Sequence, residues 1–300
     1  MKKSVFLWLL CVVCSLKAEV YDCFTFFNEL ELLKVRLEEL SDVVDHFVIV
    51  ESPLSFTGKN KPLYFQENAS QFDKFKHKII HVVIDEFPGL TADQEKNHWY
   101  RESYSRDAIL RGLTHCRRDD VIFISDVDEI PKAEAVVRIT KYLEQFKSMS
   151  LKHKKRVKDT DLVCGLKMRL FMYSMNRENL AGWYGGSKAT PYWMVLKHTP
   201  WGIKLFHHKY SMHEIPDAGW HFNTMGGADR SLYKWLCTGP IYYEGSENAL
   251  LNLGEHPELL AESYNGQVES NTIRVSIDGS FPKYFLDNIN HFREIGWLDE

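Results

Sequence analysis

The apolar positions of the chain recur with two periods, which predict strands alternating with helices. Leucine recurs at helical spacing from Leu30 to Leu40, with charged residues between. A second helical pattern runs from Trp99 to Leu113 and is expected to end near Gly112. Short apolar runs, each typical of a buried strand, occupy residues 20–27, 47–50, 79–84 and 121–125. Because strands separated by helices form parallel sheets with right-handed crossovers, we predict an α/β, Rossmann-like, mostly parallel sheet flanked by helices.

Polar or acidic residues follow each of the four predicted strands. They are Asn28 with Glu29, Glu51 with Ser52, Asp85 with Glu86, and Asp126 with Asp128. Since the carboxyl ends of parallel strands share one edge of a sheet, these side chains are expected to line one cleft and to bind a base and a ribose. Two alternatives stay open. Asn28 is equally well explained as a plain helix cap, and Glu51 and Asp85 as residues of surface turns.

The strand at 121–125 runs directly into Asp126 and Asp128, with Glu129 beside them. Two carboxylates one residue apart at such a strand end suit a hard divalent cation, Mn²⁺ or Mg²⁺, that also holds a diphosphate. The same string occurs in ordinary solvated turns, so the assignment depends on the acidic residues at the other strand ends.

Two arginines lie on the predicted helix before this strand. Arg101 and Arg106 are five residues apart, which places them roughly 140° apart around a helix. One of the two is therefore expected to bind the diphosphate, because arginine can contact it through two hydrogen bonds. The alternative is a surface ion pair with Glu102 or Asp107.

The second half of the chain is rich in aromatic residues and glycine, as in the wall of a sugar-binding site. Trp183 and Trp220 are the candidate rings for the acceptor sugar, and core packing is the alternative. His221, between glycine-containing segments, is interpreted either as a third metal ligand or as a structural histidine. Asp229 precedes a predicted helix at 230–236 and is either its cap or a general base.

Composition and charge narrow the class of protein. The chain has 300 residues, of which 44% are hydrophobic and 26% charged, as in globular proteins. Its net charge of -4 offers no broad basic face, so we expect no nucleic-acid partner.

The first residues resemble a leader rather than part of the fold. Lys2 and Lys3 precede an apolar run, Val5 to Val13, and small Ala18 follows. We expect a signal peptide at 1–18 and a location outside the cell or in the lumen of the secretory pathway. The apolar run is short for a membrane span, which needs about 20 residues. An uncleaved anchor with membrane association is the alternative.

Four cysteines follow the leader, and their pairing is not defined by the sequence. They are Cys23, Cys116, Cys164 and Cys237. One or two disulfides and four free thiols are equally open interpretations.

Several motifs, in this order along the chain, resemble glycosyltransferase family 17. The resemblance covers most of residues 20–240 and little of the last fifty. The motifs lie at 21–33, 47–52, 56–59, 61–65, 125–131 and 218–222.

The resemblance implies a fold of the GT-A type and an inverting transfer from a nucleotide-sugar. The donor would be UDP-N-acetylglucosamine, the acceptor a glycan and the cofactor a divalent metal. The domain would span 19–300, with a nucleotide-sugar half at 19–131 and an aromatic, glycine-rich acceptor half at 132–300.

The resemblance also implies roles for the acidic residues. Asp126 and Asp128 would be the metal and diphosphate pair. Asp128 would bind the metal directly, and Asp126 would contact ribose or metal-bound water. Glu129 would brace the loop. Asp229 is the first candidate for the base that activates the acceptor hydroxyl, and Asp217 is the second.

Two other classes of protein fit part of the pattern. A non-catalytic sugar-binding protein of the same fold would keep the cleft without turnover. A phosphohydrolase of the haloacid dehalogenase type also places Asp-x-Asp after a buried strand. It expects the motif near the start of its domain and Thr or Val where Ile130 stands, so this class is disfavoured.

Overall fold

The structure is a computed structural model that describes residues 17–147, 156–183, 185–239 and 246–300. Within these ranges the strands are β1 (Val20–Thr25), β2 (His46–Glu51), β3 (Ile79–Val83), β4 (Val121–Asp126), β5 (Glu129–Pro131), β6 (Cys164–Met172), β7 (Arg177–Trp183), β8 (Lys188–Pro191), β9 (His213–Asn223) and β10 (Ile273–Arg274). The helices are α1 (Leu30–Leu40), α2 (Tyr64–Asn68), α3 (Gln94–Asp107), α4 (Ile109–Gly112), α5 (Ala133–Lys147), α6 (Asp159–Leu162), α7 (Tyr192–Lys204), α8 (Gly227–Thr238), α9 (Ser246–Glu255), α10 (Pro257–Asn271), α11 (Lys283–Asp287) and α12 (Ile289–Glu294). Short 3₁₀ helices lie at Ala69–Phe75 and Phe206–His208.

The strands form one mixed sheet in the order β10-β7-β6-β8-β4-β1-β2-β3. The four strands predicted from the sequence, β1 to β4, lie side by side and are parallel. β8 continues the sheet antiparallel to β4. β9 runs parallel to β6 and pairs antiparallel with β5. The predicted α/β fold class is confirmed, and the carboxyl ends of β1, β2 and β4 share one edge of the sheet.

The predicted helices are present, with two corrections. The pattern from Trp99 to Leu113 spans two helices that meet at Ala108, and the second, α4, ends at Gly112 as predicted. α3 also begins earlier than predicted, since the side chain of Asp93 caps it by accepting from Lys96 N. The interpretation of Asn28 as a helix cap is wrong, because Glu29 occupies the cap position of α1 and no side chain caps that helix.

Three hydrophobic clusters hold the layers together. One packs α1 and α5 on one face of the sheet, and a second packs α3, α4 and α7 on the other. The third joins Phe171 and Phe222, from β6 and β9, to four buried aromatic residues near the C-terminus, Phe281, Phe285, Phe292 and Trp297. The C-terminal segment therefore completes the core beneath β9.

The remaining sequence predictions concern cysteines and membranes. The four cysteines after the leader are free thiols, which agrees with the second of the two open interpretations. Within the described ranges, no helix is both long enough and apolar enough to cross a membrane. The predicted leader at 1–18, apart from Lys17 and Ala18, falls outside the described residues.

Candidate active site

A cleft with a cavity of about 270 Å³ opens at the shared carboxyl edge of β1, β2 and β4. α3, β7, β9 and α8 supply its other walls. The predicted site residues that line it are Glu29, Glu51, Ser52, Arg106, Asp126, Asp128, Trp183 and His221. The topology therefore brings eight predicted residues together from both halves of the chain.

Asp126 is held between two cations. Arg106 Nη2 lies 2.8 Å from its Oδ1, and Lys204 Nζ lies 2.8 Å from its Oδ2. Burial acts to raise the pKa of Asp126, but the charges of Arg106 and Lys204 outweigh burial and hold that pKa well below its usual value. Asp126 is therefore ionised, and the direction of its carboxylate is fixed by its partners.

Asp128 contacts two residues from the second half of the chain. Lys234 Nζ lies 2.7 Å from its Oδ2, and His221 Nε2 lies 3.5 Å from its Oδ1. Burial acts to raise the pKa of Asp128, yet the charges of Lys234 and His221 keep that pKa below its usual value. The other ring nitrogen of His221, Nδ1, is buried and has no hydrogen-bond partner.

Glu129 lies beneath the acidic loop, residues 126–128, rather than in the cleft. It is fully buried, and its Oε2 accepts from Asp126 N at 3.0 Å and from Lys204 Nζ at 2.9 Å. Its Oε1 accepts from Trp183 Nε1 at 2.7 Å. Glu129 thus ties the loop to the wall that carries Trp183.

Arg36, which the sequence reasoning missed, holds the backbone of the same loop. Its buried guanidinium donates to both carboxylate oxygens of Asp22, at 2.6 and 2.7 Å. It also donates to the carbonyl oxygens of Asp126 and Glu129, at 2.9 and 2.8 Å. The sequence did contain a signal of this ion pair, namely one arginine on an apolar helix face and one aspartate inside a buried strand. Buried charges are normally paired.

The two arginines of α3 point to different places. Arg106 reaches Asp126 in the cleft, whereas Arg101 does not line it. Arg101 Nη1 donates to Phe56 O at 2.9 Å, and its guanidinium packs against Gly58. The expectation that only one of the two faces the cleft agrees with this placement.

Further charged residues of the cleft were also missed. Lys61 lies 3.8 Å from Glu51 Oε1, and Glu51 accepts the backbone N–H of Phe65 at 2.8 Å. Glu102 lines the cleft 3.5 Å from Arg106, and burial raises the pKa of Glu102. Lys61 belongs to the motif at 61–65, but its partner Glu51 comes from another element. Glu102 pairs with Arg106 one turn along α3, the ion pair that the sequence offered as an alternative.

Seven predicted site residues do not line the cleft. They are Asn28, Asp85, Arg101, Glu129, Asp217, Trp220 and Asp229. Asp217 is exposed and pairs with Lys132 at 2.5 Å, and Trp220 Nε1 donates to Ser280 O at 3.0 Å. Both line a separate groove. Asp229 and Asp85 are exposed, and Asn28 N donates to its neighbour Glu29.

Comparison with known proteins assigns the family. The profile of glycosyltransferase family 17 matches residues 10–224. The chain belongs to this family. The predicted family and its enzyme class, a glycosyltransferase, are therefore confirmed. Relatives in Homo sapiens and Rattus norvegicus, both called beta-1,4-mannosyl-glycoprotein 4-beta-N-acetylglucosaminyltransferase, are 37% identical over 122 residues. That segment is 38% of this chain and 22% of either relative.

Solved structures give a weak likeness. Glucosyl-3-phosphoglycerate synthase of M. tuberculosis aligns over 68% of this chain and 72% of its own, with 11% identity and a TM-score of 0.34. A complex of that Mycobacterium tuberculosis enzyme with Mn²⁺, uridine-diphosphate and phosphoglyceric acid aligns over 69% of each chain, with 12% identity and a TM-score of 0.31. At these scores the likeness adds nothing to the family assignment.

Proposed function

We propose that this family 17 member transfers a sugar, in the first instance N-acetylglucosamine from its UDP conjugate, to a glycan acceptor with inversion. The observation that carries the proposal is the placement of Asp126 and Asp128 in a cleft at the carboxyl edge of a parallel sheet. The names of the human and rat relatives support the choice of sugar, and the family resemblance supports inversion.

The charges of the cleft support a divalent cofactor. Among the described residues, five carboxylates and three lysine or arginine side chains line the cleft. An anionic diphosphate therefore meets an excess of negative charge there. No group of three His, Cys, Asp or Glu side chains among the described residues is arranged to hold a metal ion. Mg²⁺ commonly uses one or two carboxylates, with phosphate oxygens and water completing its shell. Asp128 offers such a carboxylate, and His221 Nε2, 3.5 Å from its Oδ1, is the proposed further ligand when the cation is Mn²⁺.

The bound cation would supply positive charge at the leaving diphosphate. The chain's own residues perform the positioning. Arg106 and Lys204 fix the carboxylate of Asp126, which is proposed to contact ribose or metal-bound water. Glu51 and Ser52, at the end of β2, are proposed to face the nucleoside. Buried Glu129 holds the acidic loop in place, because it accepts hydrogen bonds from Asp126 N and from Trp183, which forms the proposed acceptor wall.

The acceptor is proposed to enter beside Trp183. The ring of Trp183 lines the cleft with its centroid 4.6 Å from that of His221, and an aromatic face suits the apolar side of a pyranose. For the base that accepts the hydroxyl proton, Asp229 remains the first candidate and Asp217 the second, although neither lines the cleft in this structure. Unchanged transfer by Asp229→Asn would exclude that assignment.

Replacement of Asp128 tests the proposed function. Asp128→Ala removes the proposed metal ligand, so we expect transfer to fall at least about a hundredfold, as is usual when charge stabilisation in a transition state is lost. UDP release with an N-glycan acceptor measures the activity, and circular dichroism checks the fold. Asp287→Ala is the matched control, since its carboxylate pairs with Lys283 on the surface. Retained activity in Asp128→Ala would refute the proposal.

The same assays separate the rival classes. A non-catalytic sugar-binding protein would bind UDP-sugar with Mn²⁺ and turn over nothing. A phosphohydrolase would release phosphate from simple phosphate esters. The predicted leader adds the proposal that the protein acts outside the cell or in the secretory-pathway lumen.

A further inference from the structure

The ammonium of a lysine from α8 lies next to Asp128, where the divalent cation is proposed to bind. Lys234 Nζ lies 2.7 Å from Asp128 Oδ2 and 3.1 Å from Glu29 Oε1. Lys234 lies beyond residue 224, where the family match ends. Its ammonium therefore bridges two carboxylates of the proposed donor site, one from the end of β1 and one from the acidic loop.

Lys234 is the most accessible of the lysine and arginine side chains that line the cleft. Its side chain is 20% exposed, whereas those of Lys61 and Arg106 are 3% and 1% exposed. Lys61 also donates to backbone carbonyls, and Arg106 is fixed between Glu102 and Asp126. Among the described residues, the ammonium of Lys234 pairs only with the carboxylates of Glu29 and Asp128. It can therefore turn to a ligand in the cleft without leaving a backbone acceptor unpaired.

Two cations compete for Asp128 in the proposed mechanism. A divalent ion that binds Asp128 repels the ammonium of Lys234, because both charges would lie within a few ångströms of one carboxylate. Glu29 still holds Lys234 close to the site. The phosphate oxygens of the donor are the acceptors that then become available to the displaced ammonium.

We propose that Lys234 is a diphosphate-binding residue. When the cation and the donor bind together, its ammonium leaves Asp128 and binds the donor's diphosphate. The inference rests on the proposed function. It predicts that Lys234 opposes binding of the cation alone and favours binding of the cation with a nucleoside diphosphate. The enzyme would thus take up its cation mainly together with the donor.

Lys234→Gln tests this inference, because it should strengthen binding of the cation alone and weaken binding of UDP in the presence of the cation. Mn²⁺ alone, followed by electron paramagnetic resonance, should bind about two- to fivefold more tightly, because a competing charge is gone. UDP at saturating Mn²⁺, followed by calorimetry, should bind about ten- to hundredfold more weakly, because a charged hydrogen bond is lost. Uridine, which lacks phosphate, should bind equally to both proteins.

Two control variants separate this role from a structural one. Lys283→Gln removes an exposed lysine that pairs with Asp287 and should change none of the three affinities. Lys234→Arg keeps the charge and should restore most of the UDP affinity. If Lys234→Gln weakens Mn²⁺ and UDP alike, Lys234 merely positions Asp128 and the inference is overturned.

A measurement on the native sequence covers the case in which Lys234→Gln does not fold. Lysines carrying ¹³C-methyl groups report on their surroundings by NMR, and the resonance missing from Lys234→Arg identifies Lys234. UDP with Mg²⁺ should shift this resonance, and uridine should not. An unshifted resonance in the presence of bound UDP would overturn the inference. If the unmodified protein binds no UDP with either cation, the proposed function itself fails.

Discussion

At the residue scale, one glycine allows the acidic loop and the acceptor wall to meet. Gly186 lies against the hydrogen bond between Trp183 Nε1 and Glu129 Oε1. A Cβ at this position would lie 1.7 Å from Glu129 Oε1 and 2.1 Å from Trp183 Nε1. Both contacts are far inside van der Waals distance, so no side chain fits here unless the bond breaks.

Gly186→Ala should therefore separate Trp183 from Glu129. We expect a loss of about 1–3 kcal/mol in the free energy of unfolding from overpacking, together with a rise in KM for the acceptor. Urea denaturation and steady-state kinetics measure the two effects. Gly266 lies in α10, where an added Cβ would meet nothing within 4 Å beyond its chain neighbours and the backbone of its own helix. Gly266→Ala should therefore stabilise the protein by about 0.5–1 kcal/mol. A fully stable and active Gly186→Ala would contradict the packing described.

At the element scale, β8 carries a buried lysine that holds the turn before it. Lys188 Nζ donates to the carbonyl oxygens of Gly185 and Gly186, at 2.8 and 3.1 Å. Burial, with the charge of Lys204 nearby, lowers the pKa of Lys188 to about 7. The amine is therefore largely uncharged above neutral pH. Where the amine must be protonated, its burial lowers the free energy of unfolding.

The stability cost of Lys188 should depend on pH. Its ordinary pKa is 10.5, so the unfolded chain keeps the proton between about pH 7 and 10.5 while the folded protein releases it. Stability therefore rises with pH across this window and is lost as pH falls towards 7. The free energy of unfolding of wild type relative to Lys188→Met should increase by about 3 kcal/mol from pH 7 to about pH 9.5. Urea denaturation at both values tests this, and a constant difference would refute it.

Elements were predictable where the signal is local. The strands β1 to β4 and the helix α1 follow from short apolar runs and leucine spacing. The boundary between α3 and α4 was missed, because the apolar pattern continues across Ala108 and this residue keeps right-handed helical backbone angles. Asn28 is suited to cap a helix, yet Glu29 occupies the cap position and α1 begins at Leu30.

At the scale of the whole molecule, the C-terminal segment supports the acidic loop from behind. Trp297 is 1% exposed and belongs to the cluster that contains Phe171, Phe222 and Phe292. The backbone N–H of Phe222 donates to Asp128 O at 2.9 Å. Residues beyond the family match therefore pack against a strand that holds the proposed metal ligand.

Trp297→Ala should destabilise the fold strongly. Removing this buried ring leaves a cavity beneath β9, and such losses cost about 3–5 kcal/mol. Urea denaturation measures the change. Ile295→Ala is the control, since Ile295 is exposed in the same segment and should change stability by about 0.5 kcal/mol or less. A loss of similar size in both variants would show that the segment lacks the described packing.

The sequence alone determined the α/β class, the parallel part of the sheet and the position of Asp126 and Asp128 at a strand end. These follow from periodicity and from polar residues directly after buried runs, both of which are local in the chain. Tertiary structure decided which charges meet there. Lys204 and Lys234 reach the two aspartates across 78 and 106 residues, and Arg36 reaches the loop from α1. A buried charge is tolerated only beside its partner, and that partner is set by how strands and helices pack rather than by neighbours in sequence.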